Sequence, residues 1–425
     1  MEKFILNNNV IFRHEHFGSI IMNTAEKKVR MFNETATSIL TNLFESKTLT
    51  QLSKAIGYSE NKYDFSLKTF LDELVSKKII DRTEEYKKTK ASIHFEGIEH
   101  FPDGYFYSPL GVEIEYTMKC SRNCIYCAYS SNPLVDISKE LNPSNWYSIL
   151  ENLKASGVIF LRFTGGDPLT REDFFDVLKM ADDMNFILSV GTDLTLFKER
   201  HAILLSKLKN LVMVQTTLDG STEEINDAMR GKGNYRKVLE GMILLKEYNI
   251  PFIVGTVLRK DNVHDIENIG KLVSEYKADG YCFAPLYTAG RASELEKLVP
   301  DNTDLYSANK QLKKLVSDGI VNPSDWVWHE TVMNSTEDEL KHLLDDQPHI
   351  ARIPDRLIRI DPKGNCYSSI KLKQYLTEEE VYAGNLTKQS LLDIWHKSEN
   401  LNKLRNLNND KTFFGITTDL RQLTN

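Results

Sequence analysis

Between Gly111 and Ala292 the sequence alternates six short apolar runs with longer amphipathic segments. The runs are "GVEIEYT", "VIFLRFT", "ILSVGT", "LVMVQTTL", "PFIVGTVL" and "GYCFAPLY", and segments such as "REDFFDVLKMADDM" and "NYRKVLEGMILLKEY" lie between them. Apolar residues in those segments recur at helical spacing. Strands separated by helices imply right-handed crossovers and a parallel sheet. Six units suffice for a curved, partly closed barrel, so the expected fold class is α/β with a partial (β/α)6 barrel over 111–292. In such barrels the chemistry sits on the loops after the C-terminal ends of the strands.

The flanking regions read differently. In residues 1–85, "VIFRHE" and "GSIIMN" read as strands joined by a turn at Phe17-Gly18, and "KKVRMF" as a third. Asn33 is a natural N-cap with Glu34 in the first turn, and Ile39, Leu40, Leu43 and Phe44 fall on one helical face. Two more helices fit "TLTQLSKAIG", stopping at Gly57, and "YDFSLKTFLDELVSKKII", with Leu67, Phe70, Leu71 and Leu74 as its apolar face. Three strands and three helices predict a winged-helix-like α+β module. A linker, 86–110, leads to the barrel, and 293–425 forms a small C-terminal α+β extension.

With 425 residues and 41% hydrophobic content the chain can bury a large core and divide into two or three domains. A net charge of −7 argues against a general nucleic-acid binder, which needs excess Lys and Arg. No apolar run approaches the roughly 20 residues that span a bilayer. The start "MEKFILNNNV" lacks the features of a signal peptide, so a cytoplasmic protein without a membrane partner is expected.

Three of the five cysteines, Cys120, Cys124 and Cys127, fall within eight positions just after the first barrel strand. An odd, clustered set is a poor disulfide framework and points to metal or cofactor chemistry. The spacing C-x3-C-x2-C lets one loop supply three thiolates to an iron–sulfur cluster, leaving one iron of a [4Fe–4S] cube open. A zinc site with a distant fourth ligand is the alternative that the spacing leaves open.

With Tyr126 before the third cysteine, this loop resembles that of the radical S-adenosylmethionine superfamily, C-x3-C-x-aromatic-C. After the second strand, "FTGGDPL" resembles the family's G-G-E-P motif, with Asp167 in place of the usual Glu. Thr164, Gly165, Gly166, Asp167 and Pro168 are therefore expected beside the methionine portion of the cofactor. Thr192 and Asp193 stand where the family often has a Thr-Asn-Gly turn. "TTLDGSTEEINDAMRGKGNY" resembles its S-L-D-G segment and Arg-Gly pair, nominating Thr217, Asp219 and Arg230 for the ribose and the cofactor carboxylate. The stretch "FAPLYTAGRAS" resembles the end of the sixth strand in peptide-modifying members. The resemblance implies one [4Fe–4S] cluster, S-adenosyl-L-methionine bound at the open iron, and an electron donor such as flavodoxin or ferredoxin. Its chemistry would be hydrogen abstraction by a carbon radical released from the cofactor.

The N-terminal module resembles the PqqD-like peptide-recognition element of maturases of ribosomally made peptides, which holds a precursor's leader by strand addition. Val29 and Met31 lie on the strand expected at the open edge. A winged-helix DNA reader is the rival, disfavoured because basic and acidic residues are interleaved. Near the C-terminus, "RLIRIDPKGNCYSS" and "AGNLTKQSLLDIWHKSENLNKLR" resemble a SPASM/twitch-like extension that has lost its cysteines. Only Cys366 remains there, and "QPHIARIPD", with His349, stands where further ligands are expected. One cluster is therefore predicted. Cys282 and Cys366 are the candidate thiol hydrogen donors. The expected function is modification of a precursor peptide, by cross-link or epimerisation. A non-catalytic peptide escort and a small-molecule radical enzyme are the alternatives.

Overall fold

The computed structural model describes residues 2–23, 28–57, 64–89, 106–322, 357–368 and 376–406. The chain divides into two compact units, with the boundary between Tyr107 and Ser108.

In the first unit, β1 (Lys3–Leu6) precedes an antiparallel sheet of β2 (Val10–Glu15), β3 (Gly18–Asn23) and β4 (Lys28–Asn33), in that spatial order. Gly18 makes the tight turn. Its φ is +135°, and a Cβ would lie 2.1 Å from the Phe32 carbonyl oxygen. Three helices follow, α1 (Glu34–Thr41), α2 (Leu49–Ala55) and α3 (Asp64–Ser76). Asn33 caps α1 by accepting from the Ala36 N–H at 2.9 Å. Phe12 and Ile21 of the sheet pack with Leu40, Leu52 and Leu71 of the helices into one core.

Two features differ from the sequence reading. The helix over "YDFSLKTFLDELVSKKII" stops at Ser76, and β5 (Ile80–Thr83) follows, pairing antiparallel with β1. The stop has no glycine to announce it. Lys78 takes φ +51°, and Ile79 N and Lys78 N bond back to the Leu74 and Val75 carbonyls, the double closure of a Schellman motif. Ile79 and Ile80, read as helical, enter the core from this turn.

The second unit alternates as expected: β6 (Gly111–Thr117), α4 (Pro143–Ala155), β7 (Phe160–Gly165), α5 (Phe174–Asp183), β8 (Ile187–Gly191), α6 (Glu199–Ser206), β9 (Leu211–Thr217), α7 (Glu223–Arg230), α8 (Asn234–Glu247), β10 (Phe252–Leu258), α9 (Ile266–Glu275), β11 (Gly280–Pro285) and α10 (Asn302–Ser317). The strands pair parallel in sequence order. The helices start on clear signals. Asn142 and Asn145 form a reciprocal capping box on α4, with Pro143 in its first turn.

The C-terminal strands β12 (Leu357–Ile360), β13 (Asn365–Tyr367) and β14 (Tyr382–Asn385) join the same sheet, β12 running parallel to β6. Short helices over Leu391–Lys397 and Glu399–Asn406 follow.

Alternation along the strands gives the sheet two faces. Val112, Ile114, Leu161, Phe163, Leu188 and Val190 are fully buried. The other, inner face carries Glu113, Glu115, Arg162, Thr164, Ser189 and Gln215, and beyond them Gly255 and Cys282. A Cβ at Gly255 would lie 3.3 Å from Gln215 Nε2 and 3.6 Å from Cys282 Sγ, so these three share that face.

Candidate active site

The loop after β6 carries the three cysteines, each half-buried and none in a disulfide. It is tied at several points. Cys120 N donates to the Asn132 carbonyl at 3.2 Å and Ile125 N to the Met229 carbonyl at 3.1 Å. At its base, Glu140 accepts from Met118 N at 2.8 Å and Thr117 Oγ1 at 3.1 Å, while Arg171 lies 3.3 Å from the second Glu140 oxygen. Burial pushes the Cys120 thiol well up, and the Asp167 and Asp193 carboxylates push it further. Burial also raises Cys124, opposed by the Arg230 charge. Such thiols surrender their protons to a metal rather than to water. Among the described residues no group of three His, Cys, Asp or Glu side chains could hold a single metal ion.

The Gly-Gly-Asp-Pro turn leaves the end of β7 and packs directly on this loop. Gly165 has φ +124°, and Cβ atoms at Gly165 and Gly166 would lie 2.3 Å from the Thr117 oxygen and 2.1 Å from the Lys119 oxygen. The need for glycine therefore arises from contact with the chain entering the cysteine loop, a reason the sequence did not suggest. Gly166 N and Asp167 N donate to the same two carbonyls at 2.6 and 2.8 Å. Asp167 is fully buried, and protein donors occupy both its oxygens: Leu169 N at 2.9 Å, Thr192 Oγ1 at 2.9 Å and Asp193 N at 3.2 Å. Burial and the neighbouring Asp193 hold its pKa well above the usual carboxylate range. Pro168 opens the single helical turn that follows.

Asp193 is different. Its Oδ1 accepts from Thr195 N at 2.9 Å and Thr195 Oγ1 at 2.5 Å, but its buried Oδ2 has no hydrogen-bond partner. Arg122, inside the cysteine loop, is the nearest cation, with Nε 3.9 Å from that oxygen. A buried carboxylate oxygen without a donor is the feature expected where a polar ligand completes a site.

Across the site, Tyr126, Asp219 and Arg230 form one buried cluster. Tyr126 donates to Asp219 Oδ2, and Arg230 Nη1 donates to Tyr126 Oη at 2.5 Å and lies 3.3 Å from that Asp219 oxygen. Arg230 Nε is fixed by Asn234 Oδ1 at 3.1 Å, and Val257 N donates to Asp219 Oδ1 at 2.8 Å. Arg230 is 7% exposed although it ends α7, so it is no solvated helix-end charge. Thr217 ends β9 beside Gly255, and Thr164 Oγ1 lies 3.2 Å from where a Gly191 Cβ would be.

The two remaining cysteines are apart from each other. Cys282 lies buried on the inner face of β11. Cys366 is fully buried in β13, opposite Ile360, with β12 between it and the barrel strand β6. It is not brought to the cysteine loop. His349 and "QPHIARIPD" lie outside the described residues.

Sequence reasoning missed several residues. The inner face beneath the loop carries two ion pairs, Arg162 with Glu113 at 3.6 Å and the buried Arg359 with Glu115. Tyr129, two residues past Cys127, donates to Glu113 at 3.3 Å. Arg291, after β11, bonds the cysteine loop itself. Arg359 could not be found because nothing in the sequence says that β12 joins β6.

The Radical SAM superfamily model matches residues 114–273. Among curated proteins, a PqqA peptide cyclase of Bradyrhizobium diazoefficiens is 32% identical over 179 residues, 41% of this chain and 46% of that protein. An AdoMet-dependent heme synthase of Methanosarcina barkeri is 26% identical over 196 residues, 45% of this chain and 55% of that protein. The alignments thus span about half the length of these curated relatives. Among solved structures, Streptococcus suis SuiB bound to its precursor peptide SuiA superposes with a TM-score of 0.67 at 16% identity, covering 95% of this chain and 90% of that one. The enzyme anSMEcpe with bound AdoMet gives 0.54 at 18% identity, covering 71% and 83%. At these identities the two structures establish the fold, that of a partial radical SAM barrel. Radical SAM proteins use a [4Fe–4S] cluster and S-adenosylmethionine, and the half-buried cysteine loop, the close-packed Gly-Gly turn and the buried Asp193 oxygen that accepts no hydrogen bond fit that pair. Residues 114–273 are thus the part of the chain that is similar to the Radical SAM superfamily.

Proposed function

We propose that this protein is a radical SAM maturase of a ribosomally made precursor peptide. Cys120, Cys124 and Cys127 ligate one cluster, and the polar groups around them, Asp193, Thr192, Thr217 and the Tyr126–Asp219–Arg230 cluster, hold S-adenosylmethionine. When bound, the pair supplies a carbon radical able to take an unactivated hydrogen. The chain's own residues bind, orient and exclude water. The observation that carries this reading is the convergence of the cysteine loop, the Gly-Gly-Asp-Pro turn and Asp193 at the C-terminal ends of β6, β7 and β8.

A peptide substrate is supported by two features. The inner face offers Glu113 and Arg162, each more than a quarter exposed, and so an acceptor and a donor of the kind that a main-chain amide needs. In the N-terminal unit, β4 is an edge strand among the described residues, and a shallow groove of about 280 Å³ lies beside α1, lined by Glu34, Thr35, Ser38, Ile39 and Ile56. A leader strand adding to β4 could fill it. The PqqA peptide cyclase and SuiB resemblances point the same way.

For the outcome, Cys282 favours inversion at an α-carbon. Its thiol on the inner face would return a hydrogen atom to the substrate radical, and the resulting thiyl would take one electron from the external low-potential donor and one proton from solvent. Cys366, behind β12, is the weaker candidate. Incubation of the reconstituted enzyme with a candidate precursor in D2O tests both levels. A gain of about one mass unit, abolished in Cys282→Ala, supports inversion; a loss of about two supports a cross-link; an unchanged peptide despite cofactor cleavage contradicts the peptide reading.

A further inference from the structure

The segment after the last barrel strand turns back onto the cysteine loop. Gly290 has φ +59°, and a Cβ there would lie 2.5 Å from the Ala128 oxygen and 2.6 Å from the Cys127 oxygen. The main chains touch where no side chain fits. Arg291 then makes three hydrogen bonds to loop carbonyls. Its backbone N–H donates to Cys127 at 3.1 Å, its Nε to Cys124 at 2.9 Å and its Nη2 to Ser131 at 2.9 Å. The acceptors lie on both sides of Cys127, so one residue from the far end of the barrel fixes the spacing of two thiolate-bearing positions. A guanidinium suits this task because its rigid fork reaches two acceptors at once, whereas an ammonium is a point donor on a flexible stem.

We infer that Arg291, seated by Gly290, is a positioning residue for the iron–sulfur cluster, holding the ligand loop closed and favouring the reduced state through its charge. The inference rests on the cluster assignment proposed above. A three-thiolate cluster gains one negative charge on reduction, and a fixed cation beside its ligands stabilises the more negative state. Second-layer contacts of this kind commonly change metal affinity about 10- to 100-fold.

Two readouts separate the mechanical from the electrostatic role, both on the anaerobically reconstituted full chain with thermal unfolding as the fold control. Iron release to a chelator should be about 10- to 100-fold faster in Arg291→Gln, and faster also in Gly290→Ala. A dithionite titration followed by electron paramagnetic resonance should move the cluster midpoint of Arg291→Gln to more negative potential. Arg291→Lys should restore the midpoint but only part of the retention. Wild-type release and midpoint in Arg291→Gln would overturn the inference; faster release with an unmoved midpoint would overturn its electrostatic half. A wild-type protein that takes up no iron defeats the cluster assignment itself, which is a different result from a loaded protein whose Arg291 variants behave normally.

Discussion

Arg230 Nη1 lies 2.5 Å from the phenol oxygen of Tyr126, and both groups meet Asp219 Oδ2 in one buried cluster. The residue that precedes the third cysteine is thereby bonded to the end of α7, joining the loop after β6 to the loops after β9. A buried charge pair stands or falls with its geometry.

Removing one partner of this cluster should therefore cost more than the pair contributes. Arg230→Ala leaves Asp219 buried without a cation and is expected to destabilise the protein by about 3–5 kcal/mol in urea unfolding. Tyr126→Phe removes one hydroxyl and should cost about 1–2 kcal/mol. The order of the two, read from denaturation midpoints at equal slope, measures the cost of the charge left unpaired.

Asp193 offers a buried oxygen with no donor of its own. If the cofactor supplies that donor, Asp193→Asn should weaken S-adenosylmethionine binding about tenfold while iron content stays at the wild-type level, as measured by equilibrium titration of the reconstituted protein.

Leader capture at β4 makes a separate prediction. Met31→Pro removes an edge N–H and should weaken binding of a candidate precursor about tenfold, with cofactor cleavage in the absence of peptide unchanged. Calorimetric titration, with thermal unfolding as the fold control, measures it. Val29 lies on the same strand.

Glu115 gives the protein a pH signature. Burial raises its pKa from 4.5 to about 7 despite the Arg359 partner. A carboxyl raised in the folded state binds its proton more tightly there than in the unfolded chain. Its contribution to stability is complete below about 4.5 and is lost as pH rises through about 7. The melting temperature of the wild type relative to Glu115→Gln should therefore fall between these values.

The barrel was legible because its apolar runs and amphipathic spacers follow two clean periods, and the observed strands match those runs to within a residue or two. The cysteine loop and the Gly-Gly-Asp-Pro turn were legible as local motifs. What escaped depends on pairing across long sequence distances. The β1–β5 pair joins Lys3–Leu6 to Ile80–Thr83, and β12 joins β6 across more than two hundred residues, bringing Arg359 to Glu115. Arg291 was similarly silent, since its partners are backbone carbonyls that carry no residue identity. The end of α3 at Ser76 was hidden because a lysine, Lys78, and not a glycine, takes the left-handed turn that follows.

Anaerobic reconstitution of the purified protein with iron and sulfide, followed by iron counting and assay of S-adenosylmethionine cleavage after dithionite reduction, tests whether the cysteine loop holds a cluster that cleaves the cofactor. About four irons per chain and reductive formation of 5′-deoxyadenosine, both lost in Cys124→Ala, are predicted. A wild-type protein that binds no iron, or a Cys124→Ala variant that loads about four irons and cleaves the cofactor, would contradict it.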